Sequence, residues 1–346
     1  MRLVDKQVLT QRQVLHSGGV QLLTRVGLLI LKILVVVLIG WVFWPQFRWN
    51  QFADALARTS TATALAVLTL FWFQAVMAAL RWRWIRRQLG YPLTIGASLE
   101  AWLVGQCASQ ILPAVVGGDA ARIIRLRRYH VPTTAALVSV VIDRFAGFVA
   151  LVVLTAFTVP MLTAYKNTLI PDEIFWAVGL SFLLVGILLL SLRWSASTPA
   201  FRRIPRLGQV QTALRAVRPT KEGLLLFAAI GLGTNMTVII SAFLLGRELN
   251  PLMDLYSCFA ILPLVSLLTF IPISIAGWGV REALMMSAFA LIDVPATDAL
   301  AVSIKLGLAN LALGPIGGIV WILLPAKDIP GEAPSQVVMG HSDRSA

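Results

Sequence analysis

Two segments of the chain carry the same spaced residues: a proline, a glycine five positions later and an arginine nine positions later. The set consists of Pro113, Gly117, Gly118, Asp119 and Arg122 in the first segment, and of Pro272, Ser274, Gly277, Gly279, Arg281 and Glu282 in the second. Proline and glycine inside apolar segments mark interrupted helices, and paired interruptions in two halves indicate the binding site of a transporter. The alternative is a chance coincidence of helix breakers.

Each segment places charged side chains just after flexible backbone, at the expected start of a half-helix. The N–H groups and dipole at such a start favour an anion, and arginine adds a two-pronged hydrogen bond to phosphate. The pattern therefore favours a ligand with a phosphate head group around Arg122 and Arg281. The alternative is that the glycines only permit close packing of helices.

A third candidate, Asp143-Arg144, lies ten residues inside an apolar stretch. A charge near the middle of a membrane costs about 2.5–3.5 kcal/mol on insertion scales, so each must face protein, water or a partner. Neighbouring residues on a helix diverge by about 100° and need separate partners. We expect Arg122 to pair with Asp143, and Asp119 or a lipid phosphate to pair with Arg144. An ion pair without substrate contact is the alternative.

The composition indicates a membrane protein. Of 346 residues, 58% are hydrophobic and 13% are charged, and the mean hydropathy is +0.81. The net charge of +13 falls beside apolar segments, which is typical of cytoplasmic loops and argues against nucleic acid as a partner. All three histidines, His16, His130 and His341, lie outside the apolar segments, so we expect no metal and no cofactor.

The apolar stretches predict an all-α polytopic protein with about six full spans and two broken, re-entrant hairpins. The six predicted spans are residues 26–44, 63–80, 134–160, 174–192, 224–246 and 299–324. Basic clusters flank the segment 97–112 on both sides, so a hairpin over 97–120 that enters and leaves on the cytoplasmic side satisfies the positive-inside rule. Eight or more full spans are the alternative.

This arrangement predicts one membrane domain, residues 26–324, built of two repeats, 26–160 and 174–324. An odd number of crossings separates the paired motifs, so the repeats are predicted to be inverted with respect to the membrane. Residues 1–25 form a cytoplasmic N terminus and 325–346 a disordered tail on the same side.

Other polar residues lie within apolar segments and either line a wet pathway or bond one helix to another. They are Glu100, Gln106, Gln110, Asn235, Lys305 and Asn310. The alternation Arg81-Trp82-Arg83-Trp84 predicts a belt at the membrane interface.

These motifs resemble the flippase-like transmembrane domain of the lysylphosphatidylglycerol synthase family, in stand-alone members that lack the aminoacyl-transfer domain. The matching residues are Gly105, Gln110, Pro113, Gly117, Gly118, Asp119 and Arg122, then Ser139, Asp143, Arg144 and Gly147, then Pro272, Ser274, Gly277, Gly279, Arg281 and Glu282. The resemblance implies a protein of the bacterial inner membrane that moves lipids between leaflets.

The expected function is therefore that of a lipid translocase rather than an enzyme. Its partner would be an anionic, phosphate-headed lipid, such as a phospholipid, a polyprenyl-phosphate-linked lipid or a hopanoid-type lipid. One alternative is a membrane-embedded head-group transferase, in which Asp119, Asp143 or Glu282 would act as the base. The other is a scaffold that does not transport and docks a lipid-modifying enzyme.

Overall fold

The computed structural model describes residues 49–111, 115–164, 179–183, 221–270 and 278–323. Within these ranges the chain is helical and contains no strand, as predicted. Residues 179–183 are helical, and ten longer helices are α1 Trp49–Ala57, α2 Thr61–Gln88, α3 Ile95–Ile111, α4 Val115–Arg127, α5 Thr133–Ala164, α6 Lys221–Gly246, α7 Leu255–Thr269, α8 Val280–Ala290, α9 Ala296–Leu311 and α10 Gly314–Leu323. The predicted span 26–44, most of 174–192 and both termini lie outside the described residues.

Four segments are long and apolar enough to cross a membrane: Thr61–Gln88, Thr133–Leu162, Leu225–Gly246 and Ala296–Leu323. They coincide with four of the predicted spans. The last consists of α9 and α10, because Pro315 lacks an N–H and its ring excludes a continuous helix through residues 312–313.

The helix α2 is longer than the predicted span 63–80 and ends eight residues later. Ser60 caps its start, where the Ser60 hydroxyl accepts a hydrogen bond from the Thr63 N–H. Gly90, with a φ of 84°, follows its end in the left-handed conformation that glycine tolerates. Residues 81–88, which lie beyond the predicted span, are therefore helical, and the connection to α3 begins only after Gln88.

The helices α3 and α4 pack against each other in antiparallel orientation, as the two arms of a hairpin. Gly105 of α3 faces Gly118 of α4, and a Cβ built on Gly118 would lie 2.6 Å from the Gly105 carbonyl oxygen. Further towards the open end, Glu100 of α3 bonds to Arg125 of α4. The far ends of the two helices therefore lie on the same side, which is consistent with the predicted hairpin. Its entry into the membrane from the cytoplasm stays a prediction.

The two halves repeat with one offset. Pro113 and Pro272 are 159 positions apart (272 − 113). When α2 is shifted by the same 159 positions it covers 220–247, which matches α6. The same shift moves α3 to 254–270, which matches α7. It moves α5 to 292–323, which matches α9 together with α10. The helix order and bounds thus support a duplication, whereas its inversion across the membrane stays a prediction.

Packing joins the two halves. The helices α2 and α6 run antiparallel, since the Trp84 ring lies 5.6 Å from the Phe227 ring and Thr63 bonds to Glu248 beyond the other end of α6. The helices α5 and α7 also pack together, with the rings of Phe148 and Phe270 4.9 Å apart. The core therefore consists of helices from both halves.

Candidate functional site

The carboxylate of Asp143 lies between two arginines from two other helices. Its Oδ1 accepts a hydrogen bond from Arg81 Nε of α2 at 2.7 Å, and its Oδ2 lies 3.5 Å from Arg122 Nη1 of α4. Asp143 is 3% exposed and Arg122 is 7% exposed. The predicted pairing of Arg122 with Asp143 is confirmed, and it ties the hairpin to α5.

The neighbouring residue Arg144 turns to a different partner. Its Nε donates to Asp119 Oδ2 at 3.0 Å, and its Nη2 donates to Asp119 Oδ1 at 3.1 Å. This is the protein partner predicted for Arg144. The side chain of Arg144 is 39% exposed, so part of its guanidinium stays open to a further ligand.

One close contact and two aromatic rings position Arg122. Gly105 has no side chain, and a Cβ there would lie 2.6 Å from Arg122 Nε. The Arg122 guanidinium also lies 5.6 Å from the Trp82 ring and 5.7 Å from the Trp102 ring, within reach of cation–π attraction. Its buried Nε has no hydrogen-bond partner among the residues that the structure describes.

This group of five ionised side chains, which we call the arginine cluster, carries surplus positive charge. Three guanidiniums meet two carboxylates, and its members are Arg81, Asp119, Arg122, Asp143 and Arg144. Beside it, Arg86 is 1% exposed and lies 4.4 Å from the Trp82 ring. Excess buried cation favours an anionic ligand, because each unpaired charge away from water is unfavourable.

The roles of Arg81 and Trp82 differ from the predicted interfacial belt. Trp82 is 0% exposed and donates from Nε1 to Ser139 Oγ at 3.1 Å, so it is a core residue. Arg81 is a partner of Asp143 rather than a cation directed towards lipid head groups. Residues Arg81 and Asp143 are far apart in sequence, and the only available signal was a buried carboxylate that needed a second partner.

The glycines of the first motif lie within a helix. Because α4 begins at Val115, Gly117 and Gly118 belong to its first turn rather than to flexible backbone before it. Gly118 is buried, and Ser109 Cβ would lie 2.8 Å from a Cβ at this position. Gly118 therefore permits close packing of α4 against α3, rather than providing flexible backbone for an anion.

The second motif forms a compact ion pair at the start of α8. Glu282 Oε2 accepts from the Gly279 N–H at 2.6 Å, and Glu282 Oε1 lies 2.6 Å from Arg281 Nη2. Arg281 Nε also donates to Ser303 Oγ of α9 at 3.2 Å. These two adjacent residues do pair, contrary to the rule applied to Asp143-Arg144, because Glu282 folds back to cap the helix. The Gly279 N–H is therefore already occupied.

The side chain of Arg281 lies in a narrow space. Its guanidinium is 5.0 Å from the Trp278 ring, and it contacts the position of a Cβ at Gly307 on α9. Gly279 has a φ of 85°, which allows the sharp turn between Trp278 and α8. Arg281 thus contacts α9 in the second half, as Arg122 contacts α5 in the first half.

A polar seam connects the two halves through Asn310. Gln106 Nε2 of α3 donates to Asn310 Oδ1 at 2.7 Å, and Gln110 Nε2 donates to the Asn310 carbonyl at 3.0 Å. At the break before Pro315 the Asn310 carbonyl accepts a turn bond from the Leu313 N–H at 3.3 Å, and Gln110 adds a second bond to it. Gln110 is accordingly a structural bond between the halves.

The open end of the hairpin is held by a second charged group. Arg125 Nε donates to Glu100 Oε1 at 2.7 Å, and the Tyr129 hydroxyl donates to Glu100 Oε2. Burial and the bond to Glu100 raise the pKa of Tyr129 to about 12, so the phenol keeps its proton at neutral pH.

Four predicted site residues lie outside the described residues: Pro113, Pro272, Ser274 and Gly277. The predicted proximity of Gly117 and Gly118 to Gly277 therefore stays a prediction. In the described ranges, no group of three or more His, Cys, Asp or Glu side chains could hold a metal ion.

The helices and their buried charges define a polytopic, all-helical membrane protein. The family model described as the lysylphosphatidylglycerol synthase TM region matches residues 29–318. The match covers most of the chain, which therefore belongs to this family. No curated protein matches the chain.

Proposed function

We propose that the protein is a lipid translocase that binds the phosphate of an anionic lipid at the arginine cluster. The observation that carries this proposal is the surplus guanidinium beside a partly exposed Arg144. Asp119 occupies Arg144 Nε and one Nη of the same fork, and 39% of the side chain remains exposed. A lipid phosphate can share the guanidinium with Asp119 and compensate the surplus charge.

The depth of the cluster fits a head group that is leaving the membrane surface. Arg81 lies seven residues before Gln88, which corresponds to about 10 Å along α2. The positive-inside rule assigns this end of α2 and the open end of the hairpin to the cytoplasm. The cluster would then accept lipid from the cytoplasmic leaflet of a bacterial inner membrane, with both termini on that side.

The duplicated helices support alternating access. Inverted repeats with broken helices allow one half to rock against the other around a central site. The seam through Asn310 and the pairing of α2 with α6 are contacts that such a motion would rearrange. These features support movement of lipid between leaflets as the proposed function, in addition to lipid binding.

The transferase alternative has less support. Each carboxylate that could act as the base already accepts a bond from an arginine: Asp119 from Arg144, Asp143 from Arg81, and Glu282 from Arg281. A carboxylate oxygen that already accepts a hydrogen bond from an arginine is less free to take a proton from a substrate. No specific observation favours a scaffold role.

Liposomes that contain the purified protein and a fluorescent phosphatidylglycerol test the proposal. Lipid reaching the outer leaflet is measured by quenching with a reagent that cannot cross the membrane. Arg144→Gln should slow movement roughly tenfold, since it removes one charge-assisted phosphate contact. Arg144→Lys should recover only part of the rate, because lysine lacks the planar fork.

The matched control is Arg127→Gln. Arg127 is exposed on α4, one of the hairpin helices, and lies outside the cluster. It should move lipid at the wild-type rate. If Arg144→Gln and Arg127→Gln both behave as wild type, the arginine cluster is not the lipid site. Chemical change of the lipid without movement would instead support the transferase.

A further inference from the structure

Lys305 lies within a membrane-spanning segment and binds a backbone carbonyl from another helix. It is ten positions into the candidate span Ala296–Leu323 and is half-buried. Its Nζ donates to the carbonyl oxygen of Ala55 at 2.8 Å. Ala55 belongs to the last turn of α1, where carbonyl groups lack partners within the helix. The ammonium thus caps the C-terminal end of α1.

Lys305 differs chemically from the other cations at depth. Within the four described candidate spans, the remaining cationic side chains are Arg81, Arg83, Arg86, Arg87 and Arg144. A guanidinium stays protonated in proteins, whereas a lysine ammonium can release its proton. Among the described spans, therefore, Lys305 is the cation that can exchange a proton.

The charged groups around Lys305 come from several elements. Glu248, which follows α6, and Asp298, in the first turn of α9, act on it electrostatically. On α8, Arg281 and Glu282 are bonded to each other, and on α1 Asp54 is exposed. The helix α10 and residues 61–80 of α2 carry no charged residue. The charges that act on Lys305 are thus the carboxylates of Glu248 and Asp298, whereas α10 and the first part of α2 present apolar surroundings.

The Lys305 contact belongs to a clamp between the halves. Glu248 accepts bonds from the Ser60 hydroxyl at 2.7 Å and the Thr63 hydroxyl at 2.6 Å, at the start of α2. Burial opposes ionisation of Glu248, yet the bonds from Thr63 and Ser60 outweigh it and lower its pKa, so this part of the clamp is ionised at neutral pH. Lys305 and Glu248 together hold the α1–α2 connection from both sides.

The clamp lies far from the arginine cluster. Ser60 and Arg81 are 21 positions apart (81 − 60), about 30 Å along α2. Carbonyl groups at helix C-terminal ends are the groups that hold coupling cations in transporters with broken helices. The Lys305 ammonium occupies such a position with a proton-carrying group.

We propose that Lys305 is a proton-binding site whose ammonium fastens α1 to α9, and that loss of its proton releases α1 and drives lipid movement. The proposal rests on the proposed translocase function. One proton passes from Nζ to water, and the neutral amine keeps the electron pair of the N–H bond. The bond to Ala55 then loses its charge assistance and weakens, while Glu248 still holds the start of α2.

Thiol labelling measures the release of α1 without measuring transport. Cys107 and Cys258 are replaced by alanine, and a cysteine is introduced at Ala55, which is 4% exposed. Its labelling rate is divided by the rate for a cysteine at Arg58, which is exposed, so that the pH dependence common to both thiols is removed. The ratio is followed between about pH 6 and pH 10, the range that covers buried and exposed lysines.

The ratio should rise roughly tenfold with pH in the chain that keeps Lys305, because one charge-assisted bond is lost. Lys305→Arg cannot release its proton and should keep the ratio low throughout. Lys305→Met has no charge and should give a high ratio at every pH. Lys221→Met changes an exposed lysine at the start of α6 and should leave the rise intact. An equal rise in the Lys305→Arg variant would overturn the proposal.

The liposome assay with an imposed pH gradient then separates this proposal from the proposed function. The gradient should change the rate of lipid movement in the wild type but not in Lys305→Arg. If the labelling ratio switches while no lipid moves in the wild type, the translocase function is wrong and the proton site stands. If lipid moves and Lys305→Arg responds to the gradient as the wild type does, the coupling role of Lys305 is wrong.

Discussion

At the scale of single residues, Asp143 is the point on which the arginine cluster depends. It is the carboxylate that faces both Arg81 and Arg122, and all three side chains are nearly buried. Removing its charge would leave two guanidiniums near one another without the shared counter-ion. Burial makes that loss much larger than the loss of a surface ion pair.

We expect Asp143→Asn to lower the free energy of unfolding by about 3 kcal/mol, in the range found when one partner of a buried pair is removed. Thermal unfolding of the purified protein in mild detergent measures the change. The control is Asp119→Asn, whose partner Arg144 is partly exposed and can be solvated. An Asp143→Asn protein as stable as Asp119→Asn would show that Arg81 and Arg122 do not need this carboxylate.

At the scale of elements, the hairpin of α3 and α4 depends on the absence of two side chains. Gly105 and Gly118 bring the two backbones together, and this approach places Arg122 beside Asp143. The two glycines therefore affect the ion pair indirectly, because the distance between α3 and α4 determines whether the Arg122 guanidinium reaches Asp143. The second half uses Gly307 for the same purpose, beside Arg281.

Gly118→Ala should destabilise the protein by about 1–3 kcal/mol, because the new Cβ would meet the Gly105 carbonyl oxygen, a backbone atom that cannot rotate away. The matched control on α3 is Gly96→Ala, where the Cβ would lie 4.0 Å from the nearest atom, Thr94 Oγ1. That change should stabilise slightly, as alanine favours a helix. Unfolding curves for both variants decide the matter, and equal stability would contradict a tight crossing.

At the scale of the whole molecule, the two halves are related by one sequence offset, and their contacts lie at two levels. The seam through Asn310 joins α3 to the end of α9, and the clamp of Lys305 and Glu248 joins α1 and α2 to the second half. If α2 crosses the membrane, the clamp at its start and the arginine cluster near its end lie towards opposite sides. The topology of the chain is thus the premise of both proposals.

Cysteines at Arg58 and Arg127, both exposed positions, test this topology. In membrane vesicles of known orientation, a reagent that cannot cross the membrane should label position 127 from the cytoplasmic side and position 58 from the other. The reason is that α2 spans the membrane between Arg58 and the basic end of the hairpin. Labelling of both positions from one side would exclude the re-entrant arrangement.

The sequence by itself determined the properties that depend on local chemistry. Apolar length set four of the spans, and the cost of charge at depth singled out Asp143 and Arg144 with Arg122 and Asp119 as partners. These features follow from each segment alone, because hydration and backbone preference act over a few residues.

Only the tertiary structure decided which distant side chains meet. Arg81 reaches Asp143, and Gln110 reaches the Asn310 carbonyl, because of how far each helix is rotated about its axis and how closely the glycines let the helices approach. Glu282 caps its own helix, so it is engaged at the position where an open anion site was expected. Rotation and crossing distance result from packing over the whole core, and no spacing along the chain fixes them.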